Sequence, residues 1–226
     1  MHELRSGLRK GLPLILPTFA GGISFGVLAQ PVMGSVAPIV MSLVVFSGAA
    51  QFAALTVLTA GGGLFAAVAA GMLMNGRWLP MGLGVGPFLK GGPLRRVFES
   101  QAIVDASFAL ASRGDGTYDR GTLIGSTIPQ YFAWSAGTAA GVFGGALLSD
   151  PQAFGLDAMF PAFFAVLLWG EARSREALTA AVLGATIALA LMPFTPAGVP
   201  VLAAAAAALI GLRQTRVKAR LAEVAA

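Results

Sequence analysis

The sequence predicts an all-α integral membrane protein: a polytopic helical bundle of about six full spans, a broken or re-entrant element around residues 64–89, and both termini in the cytoplasm. Three observations carry that prediction. Of 226 residues, 56% are hydrophobic and only 11% are charged, where a soluble domain has about 25% charged residues. Gly11 to Gly76, Gly121 to Ser149 and Ala177 to Leu212 carry no charge at all. At about 20 residues per span these runs use most of the chain and leave no room for a soluble domain. Finally, the basic residues fall in short clusters between the apolar runs, as cytoplasmic loops do under the positive-inside rule. The expected organisation is a single transmembrane domain over 1–226, with residues 1–10 a cytoplasmic arm and 213–226 a basic cytoplasmic tail.

Composition also excludes some classes. The net charge of +5 would suit nucleic acid, but its distribution fits membrane loops, so the expected partner is the lipid bilayer and not nucleic acid. Cysteine is absent, which removes disulfides and thiolate metal sites. Arg5, Arg9 and Lys10 before an apolar run resemble a signal peptide; the run is long and further spans follow, so it reads as a retained first span.

The first span, roughly Gly11 to Gln30, holds Pro13 and Pro17 and then Gly21, Gly22 and Gly26, which suits a kinked or partly unwound helix. Gly22 and Gly26 lie one turn apart on one face, where either a partner backbone packs or a substrate approaches. Gly22-Ile23-Ser24-Phe25-Gly26 also matches the hydrolase elbow pattern. That chemistry needs a base beside the serine, and the only histidine, His2, is at the terminus; no catalytic role is expected.

The second span, near Ile39 to Thr59, contains Ser47-Gly48-Ala49-Ala50-Gln51-Phe52, small and polar for mid-membrane. Gln51 can both donate and accept, so it is either a ligand for an amino or carboxyl group or an interhelical tie. Gly61-Gly62-Gly63 makes a turn.

The element from Leu64 to Leu89 carries the one charge between Gly11 and Leu89, Arg77. Asn75, the only asparagine, precedes it, and Gly76 and Pro80 flank it. A lone arginine in an apolar run is by default functional, and the freed backbone should line a cavity or lie within protein. The alternative is that Arg77 snorkels to the headgroups.

Leu94 to Ala111 shows a helical period, interrupted by Gln101 and Asp105. A carboxylate on an apolar stripe needs a cation or a proton, unless the helix lies at the interface and Asp105 is wet. Further on, Gly137, Gly141 and Gly145 form one small-residue face and Gly82 with Gly86 another, more than one chain obviously needs for itself; a partner is expected there. If residues 64–89 form a hairpin and 94–111 stay inside, fourteen of the fifteen basic residues are cytoplasmic, the exception being Arg77. An eight-span arrangement would put Lys90, Arg95 and Arg96 outside. The blocks starting at Gly11 and at Gly121 both open with a Pro- and Gly-bearing span, as transporter repeats do, although their sequences match too weakly to establish one.

Taken in order, these motifs resemble the AzlC family of branched-chain amino-acid exporters. The residues that carry the resemblance begin with Pro17, Gly21, Phe25 and Gly26, then Ser42 with Val45-Phe46-Ser47-Gly48-Ala49-Ala50-Gln51-Phe52. They continue through Asn75-x-Arg77-x-Leu79, Asp105 with Phe108-Ala109, and Trp134-x-x-Gly137-Thr138-x-x-Gly141 to Leu156-Asp157-x-x-Phe160-Pro161-Ala162-x-Phe163. The similarity runs from about Gly7 to Gly211, nearly the whole chain. Ser47 departs from the alanine expected in the family, a change expected to matter little.

The resemblance implies a multi-pass permease of the bacterial inner membrane that exports branched-chain or similar amino acids, acting with a small, separately encoded AzlD-like subunit. No Walker A pattern occurs, so a gradient is the expected drive, and no cofactor is implied. A zwitterionic substrate needs an anion site, an ammonium site and an apolar pocket. Arg77 with Asn75 suits the carboxylate; Gln51 and Asp105 are candidates for the ammonium or the coupling proton, and Phe52 and Trp78 for the pocket. The competing reading is a non-transporting scaffold that binds a partner through its glycine faces.

Overall fold

A computed structural model describes residues 2–113, 117–145, 165, 168–169, 175–195 and 199–204, and all regular structure among them is helical apart from one isolated bridge between Ser112 and Tyr118. The resemblance motif from Leu156 to Phe163 and the basic tail lie outside the described residues. The chain divides into two units, Met1–Phe52 with Met74–Asp157, and Ala53–Leu73 with Ala158–Ala226.

The first unit is organised on two long helical elements. Helix α1 (His2–Gly11), a 3₁₀ turn at Leu12–Leu14 and α2 (Ile15–Met33) form one continuous run. This run is long and apolar enough to cross a membrane, by length and composition. The other element is α9 (Arg120–Gly144). Between them in the chain come α3 (Ala37–Val44), α4 (Gly48–Thr59), α5 (Leu64–Asn75), α6 (Trp78–Val85), α7 (Pro93–Ser100) and α8 (Asp105–Ala111), the stretch Ala53–Leu73 of α4 and α5 belonging to the second unit.

Glycine sets how closely the long elements approach. A Cβ on Gly22 would lie 2.5 Å from the Trp134 carbonyl oxygen and 3.0 Å from the Thr138 nitrogen, and one on Gly137 would meet the Phe19 carbonyl and, at 3.1 Å, the Ile23 nitrogen. Gly26 and Gly141 repeat this one turn on: the first faces Thr138 and Val142, the second Ile23 and Val27. The offset, 137 less 22 and again 141 less 26, is 115 residues. Phe19 pairs with Trp134, and Ile23 with Thr138, at the same offset. The helices are therefore parallel, and exchanging them exchanges their contacts, which is a local two-fold axis along the helix direction. This symmetry relates the α1–α2 run to α9 alone.

One expectation is corrected here. The Gly137, Gly141 and Gly145 face is not left for a partner: Gly145 approaches Val27 and the other two meet α2 backbone, because the second small-residue helix that such a face needs lies in the same chain. Residues 2–11, overlapping the expected arm, are helical and packed on α9. Gly7 seats against the Thr122 carbonyl, at 2.7 Å from a Cβ, Gly125 receives Leu4 and Leu8, and α1 runs along α9 at the same register. The parallel packing places Arg5, Arg9 and Lys10 at the same end as Arg113 and Arg120. By contrast, among the described residues nothing lies within 4 Å of a Cβ on Gly82, and one on Gly86 would meet only Arg96, at 3.8 Å.

Helix α9 starts with Asp119 as its cap, the carboxylate accepting from the Thr122 N–H, as a helix N-terminus favours. Arg120 donates through Nε to Glu99 Oε2 at 2.7 Å and through Nη2 to Oε1, and Arg95 Nε adds a 2.8 Å bond to Oε1. The Arg120 hydrogen bonds, outweighing burial and aided by Arg95, hold the Glu99 carboxyl down at about 2. Burial pushes Asp119 up, but the Thr122 N–H and Arg113 overcome it and hold this carboxyl also at about 2. Both folded values lie below those of the unfolded chain, so the stability they contribute is present above about pH 4.5 and is lost as pH falls toward 2. Thermal unfolding followed against pH should show that loss in wild type. In Glu99→Gln the neutral-pH unfolding temperature should be lower and the acid-dependent drop smaller, with the remainder due to Asp119.

Leu94 to Ala111 does not form one helix. It breaks at 101–104, where Ala102 and Ile103 turn inward to join Val85, Leu89, Ala111 and Leu123 in an apolar cluster, and Thr127 Oγ1 donates to the Ala102 carbonyl. Burial of that pair overrides the helical period.

In the second unit, α10 (Arg175–Leu191) packs on α11 (Val199–Ala204). Val182 and Leu189 of α10 present apolar side chains outward.

Candidate functional site

Three chain breaks in the first unit come together. The first interrupts the expected second span at Val45–Ser47, between α3 and α4. Phe46 there has φ +41, in the left-handed region that costs a side-chain-bearing residue about 1–3 kcal/mol. Tyr131 of α9 holds the distortion, its ring edge-on to Phe46 at 5.1 Å and its hydroxyl donating to the Leu43 carbonyl at 2.9 Å, one of the acceptors freed where α3 stops. The second break, at Gly76–Arg77, is where the Asn-Gly-Arg cluster predicts it. The third is the 101–104 link before α8.

Ser47 and Asn75 join the first two breaks: Ser47 Oγ donates to Asn75 Oδ1 at 2.6 Å and accepts, at 3.3 Å, from the Ala50 N–H in the first turn of α4. The departure from alanine at Ser47 thus cross-links two broken helices, more than sequence reasoning allowed it. Arg77 joins the second break to the third. Its Nε donates to Asp105 Oδ1 at 2.9 Å and its Nη2 to Oδ2 at 2.7 Å, the two-point fork of a guanidinium on a carboxylate. Nη1 reaches back to the Met74 carbonyl at 3.1 Å, one of those left free where α5 ends. Asp105 is the first residue of α8, where the helix dipole favours a carboxylate. The pair is not sealed: the Arg77 side chain is 23% exposed and that of Asp105 48%. The guanidinium also lies 6.0 Å from the centre of the Trp78 ring, whose Nε1 is buried without a hydrogen-bond partner among the described residues.

Gln51 lies apart from this pair. It is fully buried and tied at both ends of its amide. Trp134 Nε1 donates to Gln51 Oε1, and Gln51 Nε2 donates to Ser42 Oγ, each at 2.8 Å. Ser42 and Thr138 hydroxyls are 2.8 Å apart, and Thr138 gives its one proton to the Trp134 carbonyl at 3.0 Å, so Ser42 is the donor between them. Of the two readings of Gln51, this geometry supports the interhelical tie. Phe52, 1% exposed, packs edge-on to Phe25 and Trp134, and the Trp134 ring fits against Gly21 and Gly48, where a Cβ would lie 3.0 and 2.9 Å away. The Gly22 and Gly26 face is likewise occupied by α9, as packing requires.

The structure therefore brings Asn75, Arg77, Trp78 and Asp105 together and sets Gln51, Phe52, Gly22 and Gly26 in the packing behind them. Residues to which sequence reasoning gave no role are Ser42, Thr138, Tyr131 and Trp134. Their signal is hydrogen-bonding capacity inside uncharged spans, the same one that singled out Gln51. Ser24 Oγ donates to its own helix at Ala20, and among the described residues no cluster of acids and histidines suited to a metal occurs.

The AzlC protein family matches residues 13–148, a stretch that includes all three breaks. An uncharacterized membrane protein of Archaeoglobus fulgidus is 30% identical over 217 residues, covering 92% of this chain and 95% of that one. One from Helicobacter pylori is 27% identical over 198 residues, 84% of this chain and 86% of the relative. The branched-chain amino acid transport protein AzlC of Bacillus subtilis is 26% identical over 174 residues, 73% of this chain and 68% of that protein. No solved structure matches. With that coverage by the family and by a full-length relative, and a helical architecture that agrees, the chain is a membrane protein and belongs to the AzlC family.

Proposed function

We propose that this chain exports branched-chain or similar apolar amino acids, driven by an ion or proton gradient and assisted by a small AzlD-like subunit. The Arg77–Asp105 pair would be its substrate site. The observation that carries the reading is this partly exposed, two-point ion pair at the junction of broken helices. A zwitterion carries the same two charges. Its carboxylate can take the place of Asp105 on the Arg77 fork while its ammonium takes the released Asp105, so the pair opens without leaving a lone charge in an apolar setting. Asn75, whose Nδ2 makes no hydrogen bond among the described residues, supplies a further donor, and Trp78 an apolar wall. Asp105 would also serve as the group for ion or proton coupling. The name of the Bacillus subtilis relative supports the substrate class. The scaffold reading loses its main support, since α2 fills the α9 glycine face.

Cells producing the chain together with the small subunit are expected to lose preloaded labelled isoleucine, leucine or valine several-fold faster than control cells, and a protonophore should slow that loss. Efflux equal to control for every amino acid in a wider apolar panel would overturn the proposal.

A further inference from the structure

We infer that α7 and the groove beneath it form a binding site for an anionic phospholipid, independent of the substrate reading above. The groove, about 450 Å³ in volume, is lined by Leu94, Arg95, Phe98, Glu99, Ala102 and Ile124, within the range of roughly 300–1,000 Å³ typical of ligand clefts. Its floor, Ala102 and Ile124, belongs to the packed apolar cluster of α6, α8 and α9. Its wall is the face of α7 carrying Leu94 and Phe98, each 72% exposed, with Val97 beside them. An eight-residue helix with apolar residues at i, i+3 and i+4 and basic residues around them is the pattern of a segment lying in the headgroup region.

Charge selects the lipid. Lys90 is exposed and adjoins the Gly91 turn, which the Arg95 stem covers: a Cβ on Gly91 would lie 2.7 Å from Arg95 Cδ. The Arg95 side chain is 62% exposed and spends only its Nε on Glu99, leaving its terminal N–H groups for a phosphate. Arg96 Nη2 holds the Gly86 carbonyl at 2.7 Å, anchoring α7 to the end of α6. The one carboxylate, Glu99, is engaged by Arg120 and Arg95, so it does not repel an anion. The acyl chain would lie along Leu94, Phe98 and Ile124 with the phosphate at Arg95 and Lys90. Basic residues close to an anionic membrane each strengthen binding by about fivefold.

The test uses the full chain in detergent, with phosphatidylglycerol or phosphatidylcholine of the same acyl length added, and reads retained lipid by native mass spectrometry and unfolding temperature in parallel. Phosphatidylglycerol should be half-saturating at about a tenfold lower concentration than phosphatidylcholine. Lys90→Gln with Arg95→Gln should bring the two within twofold, and Phe98→Ser should weaken retention of both. Wild type without preference between the lipids would overturn the inference, and this comparison needs no variant to fold. A preference unchanged in the double variant would also overturn it, as would a photo-crosslinker at Phe98 that captures the small subunit instead of lipid in membranes.

Discussion

Gly26→Leu is expected to yield no folded protein. A Cβ at this position would sit against the Thr138 carbonyl, 2.8 Å from the Val142 nitrogen and 3.1 Å from the Gly141 carbonyl carbon. All three are backbone atoms of α9 and have no rotamer to change. The helices must separate along the interface that organises the first unit, at a cost of about 3 kcal/mol or more, a large part of the stability of an ordinary domain. Gly141→Leu should fail equally, because its contacts on Ile23 and Val27 are the two-fold counterpart. Gly82→Leu, with nothing within 4 Å among the described residues, should be recovered at wild-type yield. Size-exclusion profiles and thermal unfolding in detergent make the comparison. A normal profile and unfolding temperature for Gly26→Leu would show that the long helices do not meet as described.

Arg77→Ala and Asp105→Ala are expected to remain folded and to lose transport. Neither side chain is sealed inside the protein, and a pair that is partly exposed contributes about 1 kcal/mol or less to stability. The two-point hydrogen bond to a substrate carboxylate is worth about 2–3 kcal/mol, so efflux by Arg77→Ala should fall roughly 30- to 140-fold. Arg77→Lys keeps the charge without the fork and should fall in between. The variant carrying both alanines separates recognition from pairing: as a substrate site, the double change stays inactive. Restored efflux with restored unfolding temperature would mean that each residue exists only to neutralise the other, and full efflux by Arg77→Ala would remove the site altogether.

How legible these features were depends on where their causes lie in the chain. The break at Gly76–Arg77 could be read directly, because asparagine, glycine, arginine and proline within six residues interrupt a run that is otherwise uncharged. The break at Val45–Ser47 could not, since only Gly48 adjoins it, with no charge and no proline; it is held by Tyr131, 85 positions beyond Phe46. The glycine ladder of α9 was recognised as a packing face but assigned to another chain, because a small-residue stripe does not name its partner. The offset of 115 becomes visible only when α2 and α9 are side by side. The Arg77–Asp105 pair was readable as two isolated charges in apolar surroundings, and its formation depended on the 101–104 turn that the helical period concealed.

The circuit of hydrogen bonds through Trp134, Gln51, Ser42 and Thr138 has one further property. An indole nitrogen gives a proton and never accepts one, so Gln51 must turn its oxygen to Trp134, its nitrogen to Ser42, and each later donor is set in turn. The circuit has a single sense of circulation. A proton relay needs every member to hand on a proton and then swing round to take the next, and here the first member cannot take one. This circuit is therefore a proton-tight rivet between α3, α4 and α9. On the function proposed above, ion coupling would fall to Arg77 and Asp105 and not to the buried Gln51.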